Sequence, residues 1–137
     1  MPHSEHEQTA RRLLDAMVGA DAGRLRELVE PDLVWEVPRG AVAPYGGVHR
    51  GAEAIIELMT SAVSGAFVPG SAGIEVRALL SDATRVMIEA ELRARAPDGR
   101  SYENGYVFIL EFRNGRVAEI REHVDTALAA QFFAAGA

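Results

Sequence analysis

The residues best suited to moving a proton form one short run near the C-terminus, Glu122-His123-Val124-Asp125. Carboxylates and imidazoles are the usual general acids and bases of protein active sites. On an extended strand side chains alternate, so His123 and Asp125 share one face, while Glu122 and Val124 share the other. Register decides which pair enters an interior, and a slip of one residue exchanges them. Asp125 is a candidate proton carrier with His123 as its neighbour; standing before Thr126, it is equally suited to capping a following helix. Glu122 is the alternative carrier: a lone buried carboxylate must find a partner or take up a proton, whereas an exposed glutamate needs neither.

A second set of residues could hold a ligand. Tyr102, Asn104, Tyr106, Phe108, Leu110 and Phe112 alternate along one segment and give it one aromatic face. Leu110 and Phe112 read as core. Asn104 and Tyr106 could hydrogen-bond a carbonyl or hydroxyl group, with Trp35 and Phe108 as apolar walls. Tyr45 and His49 fall in a Gly/Pro-rich stretch over residues 38–51 that could act as a lid. No metal site is expected. His123-x-Asp125 lacks a further downstream histidine, and the others are His3, His6 and His49.

Two absences narrow the chemistry. The chain has no cysteine, so thiolate nucleophiles, disulfides and thiolate metal sites are excluded. It has no lysine either; all 14 basic residues are arginine, which removes side-chain Schiff-base catalysis. Arginine keeps its proton, so acid–base work falls to Asp, Glu, His or Tyr. A length of 137 residues suits a single domain over 1–137, and 48% hydrophobic content can supply its core. The net charge of −6 and the lack of a basic run argue against nucleic acid as a partner. No segment has the roughly 18 apolar residues of a membrane helix, and the acidic Met1–Glu7 segment is unlike a signal peptide. The default expectation is a cytoplasmic protein with no membrane partner.

These residues need a scaffold. Ser4-x-x-Glu7 is a capping-box pattern and predicts a helix to about Val18, followed by a short helix over Ala22–Val29 ended by Pro31. A strand is expected at Leu33–Val37, a helix at Ala52–Val63 and a strand near Ile74–Leu80. Three long strands are predicted at Arg85–Ala96, Ser101–Arg113 and Val117–Asp125. The turns between them carry Asp98-Gly99 and Asn114-Gly115, which tolerate positive φ. A last helix is expected at Thr126–Ala135, with Phe132 and Phe133 available to cover an apolar opening. Helices segregated from an antiparallel sheet make the class α+β. A long curved sheet wrapped around N-terminal helices forms a cone-shaped barrel with an interior that can be a pocket.

The chain resembles the SnoaL-like branch of the nuclear transport factor 2-like superfamily, which groups with ketosteroid isomerases, polyketide cyclases and limonene-epoxide hydrolases. The segments that carry the resemblance are Trp35–Pro38, Gly47–Gly51, Tyr102–Phe108, Asn114–Ile120 and Arg121–Thr126. It implies a pocket for a small apolar or oxygenated molecule, a cofactor-free acid–base reaction such as cyclisation, isomerisation, dehydration or epoxide opening, and a homodimer. The alternative it allows is a non-catalytic binder. Matching to the isomerases places their aspartate base on Val37, their first-helix tyrosine on Leu13 and their neutral aspartic acid on Phe108. None of these side chains transfers a proton, so ketosteroid isomerisation is not expected, although Val37 and Phe108 would still line the pocket. The same match turns Ile120, Glu122 and Val124 inward. The cyclase likeness instead nominates Asp125, with His123 beside it.

Overall fold

The computed structural model describes the backbone of residues 2–135 and the side chains of residues 5–133. In order these form helix α1 (Pro2–Val18), helix α2 (Ala22–Leu28), strands β1 (Val29–Val37) and β2 (Gly47–Arg50), helix α3 (Ala52–Ala66), strands β3 (Gly73–Ser81), β4 (Arg85–Arg95), β5 (Ser101–Arg113) and β6 (Arg116–Val124), and helix α4 (Thr126–Ala135). The class is α+β, as expected. Two boundaries differ in an informative way. β1 starts at Val29, ahead of Pro31, because its pairing with β6 shifts register between Val29 and Val34 and the proline sits in that irregular stretch. β2 was expected as loop. It is a four-residue edge strand whose Gly-Val-His-Arg run is too short to carry a hydropathy signal, although its burial alternates once it pairs with β1. The helix expected to be capped by Ser4 already begins at Pro2, and the Ser4 side chain lies outside the described residues.

The sheet order is β2-β1-β6-β5-β4-β3. β1 and β6 run parallel, and every other neighbouring pair is antiparallel. The β5–β6 hairpin turns through Asn114 at φ 56° and Gly115 at φ 77°, the two positive angles a tight hairpin requires. The parallel β1–β6 pairing matters most for the site, since it sets the first strand against the last and aligns Trp35 with Ile120. The sheet does not close; β2 and β3 remain its edges.

The core lies between this curled sheet and α1 and α3. Leu13 and Leu14 of α1 and Ile55 and Ile56 of α3 are almost fully buried, at the i, i+1 spacing that fills the centre of one helix face. They meet Ile88, Leu110 and Ile120, which alternate inward from β4, β5 and β6. A second, smaller cluster lies under α4, where Phe67, Tyr102 and Phe132 pack together. Arg100 fastens α4 by donating from Nη1 to the Phe132 carbonyl at 2.7 Å while its guanidinium covers the Phe132 ring. The outer sheet face carries exposed ion pairs such as Arg77–Glu91 at 2.9 Å, each worth little in water. Among the described residues no helix is long and apolar enough to cross a membrane.

Candidate functional site

A cavity of about 140 Å³ opens between α1, α3, the inner sheet face and α4. Its walls are mostly apolar: Leu14 and Met17 from α1, Met59 from α3, Val37 from β1 and Phe108 from β5. Glu122 is the one carboxylate among the lining residues.

Strand pairing places it there. Glu122 stands opposite Phe108 across the β5–β6 ladder, and Phe108 is buried, so Glu122 shares the inner face. Trp35 aligns with Ile120, two residues before Glu122 and on the same face. Its indole Nε1–H donates to Glu122 Oε1 at 3.3 Å, a long hydrogen bond. Glu122 is intermediate in exposure because it borders the cavity, yet the protein around it displaces most of its water. Burial therefore pushes its carboxyl up from 4.5 to about 7, with the Trp35 bond pulling weakly the other way. Such a group exchanges a proton readily near neutral pH.

A second polar element faces the same space. Asn104 Nδ2 donates one hydrogen to the Asp125 carbonyl at 3.1 Å and the other to Tyr102 Oη at 2.9 Å. The carbonyl can only accept, which fixes the amide's orientation. Tyr102 Oη thus accepts from Asn104, and its own hydrogen has one available acceptor, Tyr106 Oη at 2.8 Å. Tyr102 is 1% exposed, so leaving that hydrogen unpaired would be costly. The chain of donors then runs Asn104 to Tyr102 to Tyr106, and the Tyr106 hydroxyl hydrogen is left to serve the cavity that its ring lines. Burial holds both phenols above their ordinary pKa, so they stay neutral donors.

The loop between β1 and β2 forms one rim. His49 Nε2 donates to the Tyr45 carbonyl at 2.6 Å, and the His49 ring packs at a tilt against Trp35, with ring centres 5.3 Å apart. This couples the Tyr45 rim to the indole that touches Glu122.

Of the expected site residues, Glu122, Trp35, Val37, Tyr106 and Phe108 line the cavity. Three do not. His123 points to the opposite face and is exposed, as strand alternation requires once Glu122 is inside. The Asp125 side chain is also exposed, and its Oδ1 accepts from Leu128 N at 3.1 Å, so it caps α4. Of the two pairs that the sequence left open, the register of β6 turns Glu122 and Val124 inward, and the placement of Asp125 and His123 that the cyclase likeness nominated is not the one observed. Asn104 is buried behind the wall with both amide hydrogens engaged in the protein, and it reaches the cavity only through the two tyrosines. Leu13, matched to the isomerase tyrosine, is wholly buried, and its neighbour Leu14 faces the cavity. Tyr102 was anticipated as part of an aromatic face without a role at the site; its spacing of four residues from Tyr106 was the available signal. Among the described residues no group of three or more His, Cys, Asp or Glu is arranged to hold a metal ion.

A family profile described as a SnoaL-like domain matches residues 10–120. The chain belongs to the SnoaL-like domain family. No curated protein matches it. Among solved structures, the SnoaL-like chain is similar to Bal32a from a soil-derived mobile gene cassette, at 28% identity and TM-score 0.80 over 96% of this chain and 98% of that one. It also shares its fold with a candidate SnoaL-like polyketide cyclase from Jannaschia sp. CCS1, at 19% identity and TM-score 0.80 over 97% and 94% of the two chains. TerC, co-crystallised with polyporic acid, aligns at 16% identity and TM-score 0.80 over 95% and 98%. This SnoaL-like domain thus has a fold found among small enzymes and ligand-binding proteins.

Proposed function

We propose that this SnoaL-like protein is a cofactor-free acid–base enzyme acting on a small, largely apolar molecule that carries a carbonyl oxygen. The observation that carries this reading is Glu122: a single carboxylate in an apolar cavity, with its pKa raised by burial to about 7. In its ionised form Glu122 would take a proton from the carbon next to the ligand carbonyl. The electron pair of that C–H bond would form a carbon–carbon double bond as the carbonyl π pair moves onto the oxygen, where the Tyr106 hydroxyl donates a hydrogen bond. Glu122, now protonated, would return the proton to a ring carbon or to a leaving oxygen. Isomerisation, aldol-type cyclisation and dehydration all begin with this step. A cavity near 140 Å³ is close to one that accommodates benzene, so a single ring fits it.

The test needs no knowledge of the natural substrate. Protein in D2O is mixed with cyclohexenone, and deuterium entry next to the carbonyl is followed by proton NMR. The wild type is expected to accelerate exchange, and Glu122→Gln to lower the acceleration by roughly 10²–10⁴-fold, the usual contribution of a placed acid or base. Equal exchange with and without protein would remove the catalytic reading.

The second reading is a non-catalytic binder, favoured by the apolar side chains at Val37, Leu13 and Phe108. It predicts that Glu122→Gln retains ligand affinity and that neither form speeds exchange. The family resemblance also leads us to expect a homodimer. Leu80 and Met87 support it, being paired neighbours on β3 and β4 that are 73% and 45% exposed; a monomer in sedimentation equilibrium would refute it.

A further inference from the structure

Next to the inner cavity lies a second space of about 380 Å³, between the C-terminal end of α3, the β4–β5 hairpin and α4. The two share three lining residues, Tyr45, Ala62 and Phe133. These stand between them as a partition made of two aromatic rings and a methyl group. The walls differ in character. The inner space offers Glu122 and Tyr106, whereas the outer one has Ser61, Asp98 and Arg100.

Arg100 is held firmly. Its Nε donates to Asp98 Oδ2 at 2.8 Å, its Nη1 donates to the Phe132 carbonyl, and its planar group covers the Phe132 ring. Its Nη2 forms no hydrogen bond within the described residues, which leaves a pre-positioned N–H donor at the groove on a guanidinium whose charge Asp98 partly offsets. Volume points the same way. The inner cavity alone falls below the roughly 300–1,000 Å³ typical of small-molecule sites, whereas the outer space alone and the two together fall within it, so a ligand of ordinary size that uses the inner cavity must extend beyond it.

We propose that the outer groove is a second subsite, and that the ligand has two parts: a single-ring head carrying an acceptor oxygen inside, and a flexible tail ending in a carboxylate that passes between Tyr45 and Phe133 to reach Arg100. The proposal rests on the inner cavity taking the ring head, as argued above, but not on any reaction occurring there. Gly65 offers a way to test it. It lines the outer groove, and a Cβ built on it meets no atom within 4 Å. A Cβ there has open space, so a larger side chain can branch into the groove, and removing a helical glycine favours the helix.

The experiment compares phenol with para-hydroxyphenylalkanoates of increasing chain length, using quenching of the single tryptophan, Trp35, as the readout. One chain length is expected to bind about tenfold or more tighter than phenol, the effect of one charge-assisted hydrogen bond. Gly65→Leu should abolish that gain and leave phenol binding unchanged, and Arg100→Gln should abolish it for the carboxylate while leaving the weaker binding of the matching primary alcohol unchanged. If no chain length improves on phenol, or if the gain survives Gly65→Leu, the second subsite does not exist. Failure of phenol itself to bind, with the long probes still binding, would overturn the assignment of the ring head to the inner cavity. Failure of all probes would overturn both proposals.

Discussion

The indole of Trp35 and the carboxylate of Glu122 meet across a parallel strand pair, 87 positions apart in the chain, with Nε1 3.3 Å from Oε1. The bond depends on β1 lying beside β6, so the first and last strands together make the polar point of an otherwise apolar cavity. Trp35 lowers the Glu122 pKa and burial raises it, and burial wins. Removing the donor alone should therefore move the group further up. In Trp35→Phe the Glu122 midpoint should rise above its wild-type position near 7, by up to about one unit if a bond of about 1 kcal/mol is lost. Carboxyl-carbon NMR reads this directly, and an unchanged midpoint would show that the indole does not hydrogen-bond the carboxylate.

Glu122 also makes stability depend on pH. Its pKa is about 7 in the folded chain against 4.5 when free, so between those values the folded state binds more protons than the unfolded one. Stability then falls as pH rises from about 4.5 to 7 and levels off above, by up to about 3 kcal/mol from this group. Glu122→Gln carries no charge at any pH and should lack this component. Denaturant unfolding at pH 5 and pH 8 should show the variant gaining relative to wild type at the higher value.

Tyr106 should discriminate by chemistry rather than size. In Tyr106→Phe the affinity for cyclohexenone is expected to fall about tenfold, while that for cyclohexene stays constant. The Tyr102 hydroxyl loses its acceptor in this variant, so a stability loss of about 1–3 kcal/mol should accompany it. Equal loss for both ligands would mean that the phenol only shapes the wall.

Asp125 is expected to matter to α4 alone. Asp125→Ala should cost about 0.5–2 kcal/mol of stability, and Asp125→Asn far less, since both residues are good caps. Neither should slow the Glu122-dependent exchange at temperatures where α4 remains folded. A large loss of exchange in Asp125→Asn would restore this residue as the proton carrier.

Much of the fold was legible in the sequence because its signals were local. Alternation over Ser101–Arg113 and the Asn114-Gly115 turn fix the β5–β6 hairpin without reference to the rest of the chain. β2 was not legible: four residues flanked by glycine become a strand only because β1 offers them an edge. The site was legible in part for the same reason. Alternation groups Glu122 with Val124 and His123 with Asp125, but which pair faces inward depends on pairing with Phe108 on the neighbouring strand. Asp125 stayed open between two roles because a strand end and a helix cap present the same residue type, and the contact with Leu128 N favours the cap. The Asn104–Tyr102–Tyr106 donor chain follows from three side chains on one face of β5, yet its direction depends on the Asp125 carbonyl, which only the folded backbone brings near.

The central claim is that Glu122 sits in the cavity as a proton carrier poised near neutrality. Its most direct test is a carboxyl-carbon NMR titration of the folded protein, with the Glu122 resonance assigned by its absence in Glu122→Gln. A midpoint near 7 is predicted; a midpoint at the ordinary value of 4.5 would contradict the account.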